Sequence, residues 1–264
     1  MSKRVLITGA AGGIGAATAQ ELRSRGAHVV GLDLNAGDDR ELIACDVRDQ
    51  GAVDRAVAEA IERLGGLDVL INNAGVGSGQ SAGLRPGEDA QAIIDINLMG
   101  PWRVTAAALP ALREARGRVV NVASGLAHMS IPLVTAYCMS KRGLTAYSDA
   151  LRLEHGDAIT VTTVYPGYIR TPIHAASEQD GFALEGIVPE EELAAVARTM
   201  ARAAIGRPVR DLATTRRGGV QYLLLRGVPR RLMDRLILAV LRREARRGRF
   251  EQSVLARELV QRLS

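Results

Sequence analysis

Lysine is almost missing from this chain. Of its 34 basic residues only Lys3 and Lys141 are lysines, and the other 32 are arginines. Where arginine is the standing cation, a lysine deep in the sequence marks a place that a planar, permanently charged fork does not suit. A compact ammonium with three rotatable donors is needed there instead. Cysteine is as scarce. Cys45 and Cys138 have no CxxC or His-linked spacing, so neither a disulfide framework nor a metal site is expected, and both read as reduced, packed thiols. Long apolar runs are missing too. Leu236 to Leu241 is the clearest late run and is six residues long, against the roughly 18 to 20 needed to cross a bilayer. The opening MSKRVLITGAAGG has two positive charges followed by a short apolar stretch that runs into glycines, too brief for a secretion signal. It reads as a first strand, and the protein as cytoplasmic.

What is present is enough for a substantial core: 264 residues, 47% of them apolar, suit one large α/β domain or two small ones. The formal charge of +5 hides an asymmetry. Residues 216–264 hold 13 arginines and 4 acids, net +9, whereas residues 1–215 are net −4. The division expected is a single domain over 1–215 and a helical extension over 216–264.

Short β-rich runs alternate with helical patterns. Strands are expected at Arg4–Thr8, His28–Asp33, Leu42–Cys45, Leu67–Ile71, Arg118–Ala123, Ile159–Tyr165 and Asp211–Thr215. Helices are expected at Gly13–Arg25, Gln50–Leu64, Ala90–Ala115 with Pro110 inside it, Thr135–His155 and Glu190–Ile205. Runs such as VLI, DVLI and VTTV are nearly all apolar, as when helices cover both faces of a sheet. The fold expected is therefore a doubly wound parallel sheet of Rossmann type, with seven strands, helices on both faces and extra helices at the C-terminus.

Between the first strand and first helix lies TGAAGGIG, Thr8 to Gly15. Gly9 turns the chain out of the strand, Gly13 permits close backbone approach and Gly15 lets the helix pack on the sheet. The amides at the helix start then form an anion site that fits a pyrophosphate. Asp33 closes the second strand 20 residues beyond Gly13, where a carboxylate accepts from the hydroxyls of an adenosine ribose and repels a 2′-phosphate. Leu34, Asn35 and Ala36 follow it, and no arginine lies in the glycine loop. NAD is favoured over NADP.

With TGAAGGIG, then NNAG at Asn72 to Gly75, Ser124 after a strand, and YCMSK at Tyr137 to Lys141, residues 4–172 resemble the short-chain dehydrogenase/reductase family. The resemblance implies a catalytic set of Asn97, Ser124, Tyr137 and Lys141, with Asn97 holding a water that links Lys141 to solvent. It also implies cofactor contacts from Gly9, Gly13, Ile14 and Gly15, from Asp33, from Asp46 and Val47 at the adenine, and from Asn73, Ala74 and Gly75. In PGYIRT it implies Pro166, Gly167, Ile169 and Thr171 beside the nicotinamide. The family's glycine-rich ending is not recognisable here.

The opening question about lysine now has a physical answer. Tyr137 and Lys141 are four residues apart on one helix and share a face. A phenol with a pKa of about 10 serves near neutrality only after a shift of roughly 3 units, or about 4 kcal/mol. Two charges about 4 Å apart at an effective dielectric of about 20 interact by that amount. The remaining ammonium donors can hold ribose hydroxyls. Ser124, 13 residues before Tyr137, can orient a carbonyl or alcohol oxygen. The reaction expected is hydride transfer between NAD and a carbinol carbon, with Tyr137 moving the proton and no metal taking part.

Other residues are weaker candidates. His128 lacks a nucleophile elbow and an acid partner for hydrolase chemistry. His28, His155 and His174 are scattered, Tyr168 is as consistent with packing as with a pocket, and Trp102 and Met99 suit packing or a helix-mediated contact in a homo-oligomer. The loop GLAHMSIPLV and the residues Ile173, Phe182, Leu184, Ile187 and Val188 are apolar, which favours a lipophilic secondary alcohol or ketone. The rival reading is a non-catalytic dinucleotide sensor acting through its basic tail. In that tail Leu232, Met233, Leu236, Ile237, Val240 and Leu241 form one apolar stripe among arginines. The stripe is expected to act as a lid, as a subunit contact, or as a peripheral membrane contact through 229–247. Nucleic acid is disfavoured, since Phe250 is the one aromatic after Tyr222.

Overall fold

Successive residues of the apolar runs point to opposite faces of a sheet, and each face is covered. In the computed structural model, which describes residues 2–170, 190–215, 227–248, 250, 253 and 255–263, the strands are β1 (Arg4–Thr8), β2 (His28–Asp33), β3 (Leu42–Ala44), β4 (Val69–Asn72), β5 (Arg118–Val122), β6 (Thr160–Tyr165) and β7 (Asp211–Ala213). They form one seven-stranded sheet in the order β3-β2-β1-β4-β5-β6-β7, every pair parallel. Leu6, Leu70 and Val119 enter the core on one face. Their neighbours Ile7, Ile71 and Val120 enter the core on the other.

The helices are α1 (Gly13–Ser24), α2 (Gln50–Leu64), α3 (Glu88–Ile94), α4 (Gly100–Glu114), α5 (Thr135–His155), α6 (Leu193–Ile205), α7 (Arg230–Ala245) and α8 (Arg257–Leu263). The first face packs against α2, α4 and α5 through residues such as Val53, Val104 and Leu151. The second packs against α1 and α6 through Leu22, Val196 and Met200. Each such fully buried aliphatic side chain contributes about 1.5–3 kcal/mol relative to exposure. The chain runs outward from β1 to β3 and returns to β4 beside β1, so the strand order reverses at β1 and β4. A crevice opens there beyond the carboxyl ends of the strands.

Most elements fall within one or two residues of the expected limits, and two differ for identifiable reasons. The helix expected over Ala90–Ala115 is interrupted by a wider π turn at Asp95–Met99. Pro101 has no N–H to give the Asn97 carbonyl, so the regular ladder cannot continue there. The helix expected from Glu190 starts instead at Leu193. Glu191 is already committed: its N–H donates to the Tyr168 carbonyl at 2.8 Å and its carboxylate accepts from Gly167 N at 2.6 Å.

Four buried polar side chains join the central layers. Asn72 Nδ2 donates to Thr105 Oγ1 at 2.9 Å and to Asn121 Oδ1 at 2.8 Å. Asn121 Nδ2 donates to Ser148 Oγ at 2.8 Å, and Ser148 Oγ donates to the Leu144 carbonyl at 2.7 Å. β4, β5, α4 and α5 are thus tied behind the crevice. Asn121→Ala takes one buried partner from the Asn72 amide and one from the Ser148 hydroxyl, and is expected to cost about 1–3 kcal/mol. The check is urea unfolding, where the midpoint should fall at unchanged slope.

Candidate active site

Lys141 is 3% exposed, and its Nζ donates to the Val122 carbonyl, the last of β5, at 2.9 Å. Among the described residues this is the one protein acceptor that its ammonium meets, so two donors remain. The same nitrogen lies 5.6 Å from the Tyr137 ring centroid. Burial dominates both groups. It pushes Tyr137 up to about 12, opposed by a hydrogen bond with the Ser124 hydroxyl, and pulls Lys141 down to about 8. Bringing the phenol to neutrality therefore requires more than the 3-unit shift estimated for a solvated tyrosine. Ser124 is buried at the start of the turn after β5, where its Oγ accepts from Leu126 N at 3.2 Å.

Asn97 sits in the π turn and is fully buried. Its Oδ1 accepts from Val76 N at 2.8 Å, and its Nδ2 donates to the Val76 carbonyl at 2.9 Å and to Ser140 Oγ at 3.2 Å. Ser140 Oγ in turn donates to the Tyr137 carbonyl at 2.8 Å. Asn97 therefore braces the NNAG segment against the helix that carries Tyr137 and Lys141. A Cβ on Gly75 would lie 3.3 Å from Asn97 Oδ1 and 3.5 Å from Lys141 Nζ, so this loop passes close to the ammonium. Sequence alone does not distinguish Ser140. Its only signal was its place inside YCMSK.

Across the crevice the loop after β1 is built from backbone. Gly9 has φ +67, and a Cβ there would come within 2.8 Å of Ala74 Cα, while one on Gly15 would collide with the Gly9 carbonyl. Thr8 and Asn73 fasten this approach. Thr8 Oγ1 accepts from Asn73 N and Ala74 N, each at 3.0 Å, and Asn73 Nδ2 donates to the Thr8 and Gly9 carbonyls at 2.9 and 3.1 Å. Gly12 is the N-cap of α1, no side chain caps that helix, and nothing lies within 4 Å of where a Cβ on Gly12 would stand. The uncapped amides and the open space fit a dinucleotide pyrophosphate. Thr8 and Gly12 join the residues that sequence reading had named.

Asp33 reaches back to the loop, its Oδ2 accepting from Ala11 N at 2.9 Å and its Oδ1 from Asn35 N at 3.1 Å. Each oxygen keeps a lone pair for a ribose hydroxyl. Asp46 is held by Arg48, whose guanidinium donates to both carboxylate oxygens and keeps the carboxyl below its usual range. Val47 is buried beside Gly100. Pro166 and Ile169 are buried where β6 ends, and Gly167 is tied to Glu191. Thr171, His174 and the apolar residues from Ile173 to Val188 lie outside the described residues.

The Tyr137 side of the crevice is walled by the loop after Ser124. Leu133 is held at φ +67, uncommon for a leucine, with its carbonyl accepting from Gln80 N at 2.8 Å. Leu126, Met129, Ile131, Leu133 and Tyr137 then share an apolar cluster with Ile237, Leu238, Leu241, Phe250 and Leu259 of the tail. His128 faces Tyr165, with ring centroids 4.6 Å apart. Trp102 stacks on Tyr147 at 5.6 Å.

The family model for short chain dehydrogenases matches residues 3–181. The chain belongs to the short-chain dehydrogenase family. This dehydrogenase is 37% identical over 188 residues to Oxidoreductase UcpA of Salmonella typhimurium, covering 65% of this chain and 71% of that protein. It is 35% identical over 225 residues to the putative ketoacyl reductase of Streptomyces coelicolor, covering 79% and 85%. In structure it is similar to the 3-ketoacyl-(acyl-carrier-protein) reductase from Brucella melitensis, solved in complex with NADH: TM-score 0.71, 27% identity, 80% of this chain and 95% of that one. The dehydrogenase is thus an oxidoreductase of a nicotinamide-dependent family, and its all-parallel, seven-stranded sheet is that family's fold.

The lowered Lys141 value has a sign that can be tested. Its charge is present below about 8 and lost above, so affinity for NADH is expected to fall as pH rises through that value. Lys141→Arg keeps its charge over the whole range, and its affinity should be weaker but flat. Fluorescence titration of NADH across the pH range checks this, and a wild-type curve without a step near that pH would contradict the assignment.

Proposed function

We propose that this dehydrogenase transfers a hydride between NAD and a secondary alcohol or ketone with a lipophilic body, with Tyr137 as general acid/base. The observation that carries the reading is the buried Lys141 ammonium, with two uncommitted donors, beside the Tyr137–Ser124 pair. The nicotinamide, when bound, accepts or supplies the hydride. Ser124 holds the substrate oxygen near the phenol. Tyr137 gives that oxygen a proton in reduction and takes it back in oxidation. The Lys141 charge offsets the phenolate left behind, and its free donors hold the nicotinamide ribose. Asn97 steadies the helix and loop on either side, and its proposed water carries the proton onward to solvent.

NAD rather than NADP is supported by Asp33, whose carboxylate has no arginine against it among the described residues and repels a 2′-phosphate. An apolar substrate is supported by the wall of Leu126, Met129, Ile131, Ile237 and Leu241 around Tyr137, and by the acyl chemistry named for the ketoacyl reductases it resembles. We take residues 1–215 as the catalytic unit and 216–264 as an extension over its substrate side. Trp102 and Leu153, 54% and 88% exposed on α4 and α5, fit a contact in a homo-oligomer. Buried free thiols at Cys45 and Cys138 suit the reducing cytoplasm.

The first test is a screen of lipophilic secondary alcohols and ketones with NAD and NADH, following the absorbance of the reduced cofactor. Tyr137→Phe should lower turnover at least about a thousandfold while NADH still binds. Retained turnover would remove Tyr137 from its role. Asp33→Ala should weaken NAD binding and narrow its advantage over NADP. Tighter binding of NADP than NAD by the wild type would overturn the cofactor choice. A protein that binds NADH and turns over no alcohol or ketone would instead fit the non-catalytic sensor.

A further inference from the structure

The apolar residues of α7 do not form the single stripe that their spacing implied. Ile237, Leu238, Leu241 and Ala245 face inward, onto the cluster that includes Tyr137. Leu232, Leu236 and Val240 face outward and are 47%, 53% and 45% exposed. Neighbouring residues of a helix are about 100° apart, so pairs such as Leu236–Ile237 and Val240–Leu241 spread the apolar surface too far round for one partner to cover.

Positive charge lies along one side of the outer ridge and at its C-terminal end. Arg231, Arg235, Arg242, Arg243 and Arg246 are exposed on the same helix, and none of them enters an ion pair among the described residues. Arg247 pairs with Glu244 at 3.0 Å. Beyond the end of the Leu232–Leu236–Val240 ridge is a concave patch lined by Ala239, Arg242, Arg243, Arg246 and Arg247.

We infer that the outer face of α7 docks on an anionic membrane surface, with Leu232, Leu236 and Val240 entering the acyl boundary and the arginines holding lipid phosphates. A helix with an apolar ridge beside a cationic face and low overall hydrophobicity lies in the plane of such an interface, and each arginine near it is drawn by the surface potential. A second copy of the chain fits the face poorly, because a two-fold contact sets each patch against itself and would bring unpaired guanidiniums together. Nucleic acid fits poorly as well. The ridge presents aliphatic rather than aromatic side chains for bases to stack on, and Phe250 is buried inward.

Docking also gives the active site an orientation. Since the inner face of α7 packs on the loop beside Tyr137, the substrate side is held next to the bilayer, where a lipophilic ketone or alcohol would be dissolved. This second step rests on the proposed oxidoreductase reading; the docking itself does not.

The experiment is co-sedimentation of the full-length protein with phosphatidylcholine vesicles, with and without a minority of phosphatidylglycerol. Pelleting is expected with the anionic vesicles only, and should fade as added salt shortens the screening length to about 3 Å near 1 M. Replacing Leu232, Leu236 and Val240 together by Gln should lower partitioning about tenfold or more. Replacing Arg242, Arg243 and Arg246 together by Ala should lower it about a hundredfold. These side chains are exposed, and an unchanged thermal melt confirms that the variants fold. No pelleting at low salt, equal pelleting with neutral vesicles, or wild-type pelleting by the Gln variant would overturn the inference. So would a lower mass for the Gln variant by light scattering, which would mean that a second copy covers the face, or loss of binding to anionic vesicles in millimolar inorganic phosphate at constant ionic strength, which would mean a site for the free ion. Because no turnover is measured, failure here is distinct from failure of the oxidoreductase assignment.

Discussion

An ammonium removed from water must be stabilised by fixed dipoles and by whatever it binds, and the site of this dehydrogenase is arranged around that requirement at Lys141. The Val122 carbonyl meets one of its donors and is itself the last acceptor of β5. Strand length, the start of the Ser124 turn and the placement of the charge are therefore set together. The helix that supplies the lysine supplies Tyr137 one turn earlier, and the π turn holding Asn97 packs against that helix through Ser140. Burial works against both ionisable groups when each stands alone. That opposition makes them sensitive to what enters the crevice, because a ligand supplying acceptors to the ammonium favours its charge, and through it the phenolate.

The two sides of the crevice use different materials. On the side proposed for the nucleotide the surface is main chain: open amides at the start of α1, a glycine loop pressed against Ala74, and Thr8 and Asn73 as fasteners. On the side proposed for the reaction it is side chain: a phenol, a hydroxyl, an ammonium and a carboxamide, with an apolar wall beyond. The first depends on the absence of Cβ atoms and tolerates no bulk. The second depends on functional groups at particular distances, and its outer wall, shared between the loop after Ser124 and the tail, is free to differ between relatives that keep the same chemistry.

The sheet was legible because each strand is an apolar run bounded by turn residues, and the period of two survives in the split between the two cores. The proposed catalytic set was legible through the family resemblance that TGAAGGIG, NNAG and YCMSK carry, and Tyr137 and Lys141 also through their four-residue spacing on one helix. Less accessible were properties that depend on distant partners. Nothing local in DINLMG says that Asn97 will meet Val76, or that the helix will widen before Pro101. Nothing in PGYIRT says that Glu191 will claim Gly167 and delay α6. In the tail, helical periodicity identified an apolar surface but not its division, since the number of faces a helix buries depends on what is packed against it. The rise in the Tyr137 value was hidden for the same reason: composition shows which groups ionise, and only the packed interior sets the cost.

The polar tie between β4 and β5 has one more consequence. Asn72 and Asn121 are register partners in that pair of strands, so their side chains meet only in one alignment. A parallel sheet of smooth apolar strands offers neighbouring alignments of similar hydrophobic content. A slip of one residue would turn the carboxamide of the slipped strand to the opposite face of the sheet and leave both asparagines without each other. The two asparagines thus act as a key cut for a single alignment, at the place where the chain must bring the Val122 carbonyl level with the ammonium. An exchange of both for valine could preserve bulk and even compactness, yet it would remove the means by which the folding chain distinguishes the aligned sheet from its shifted neighbours.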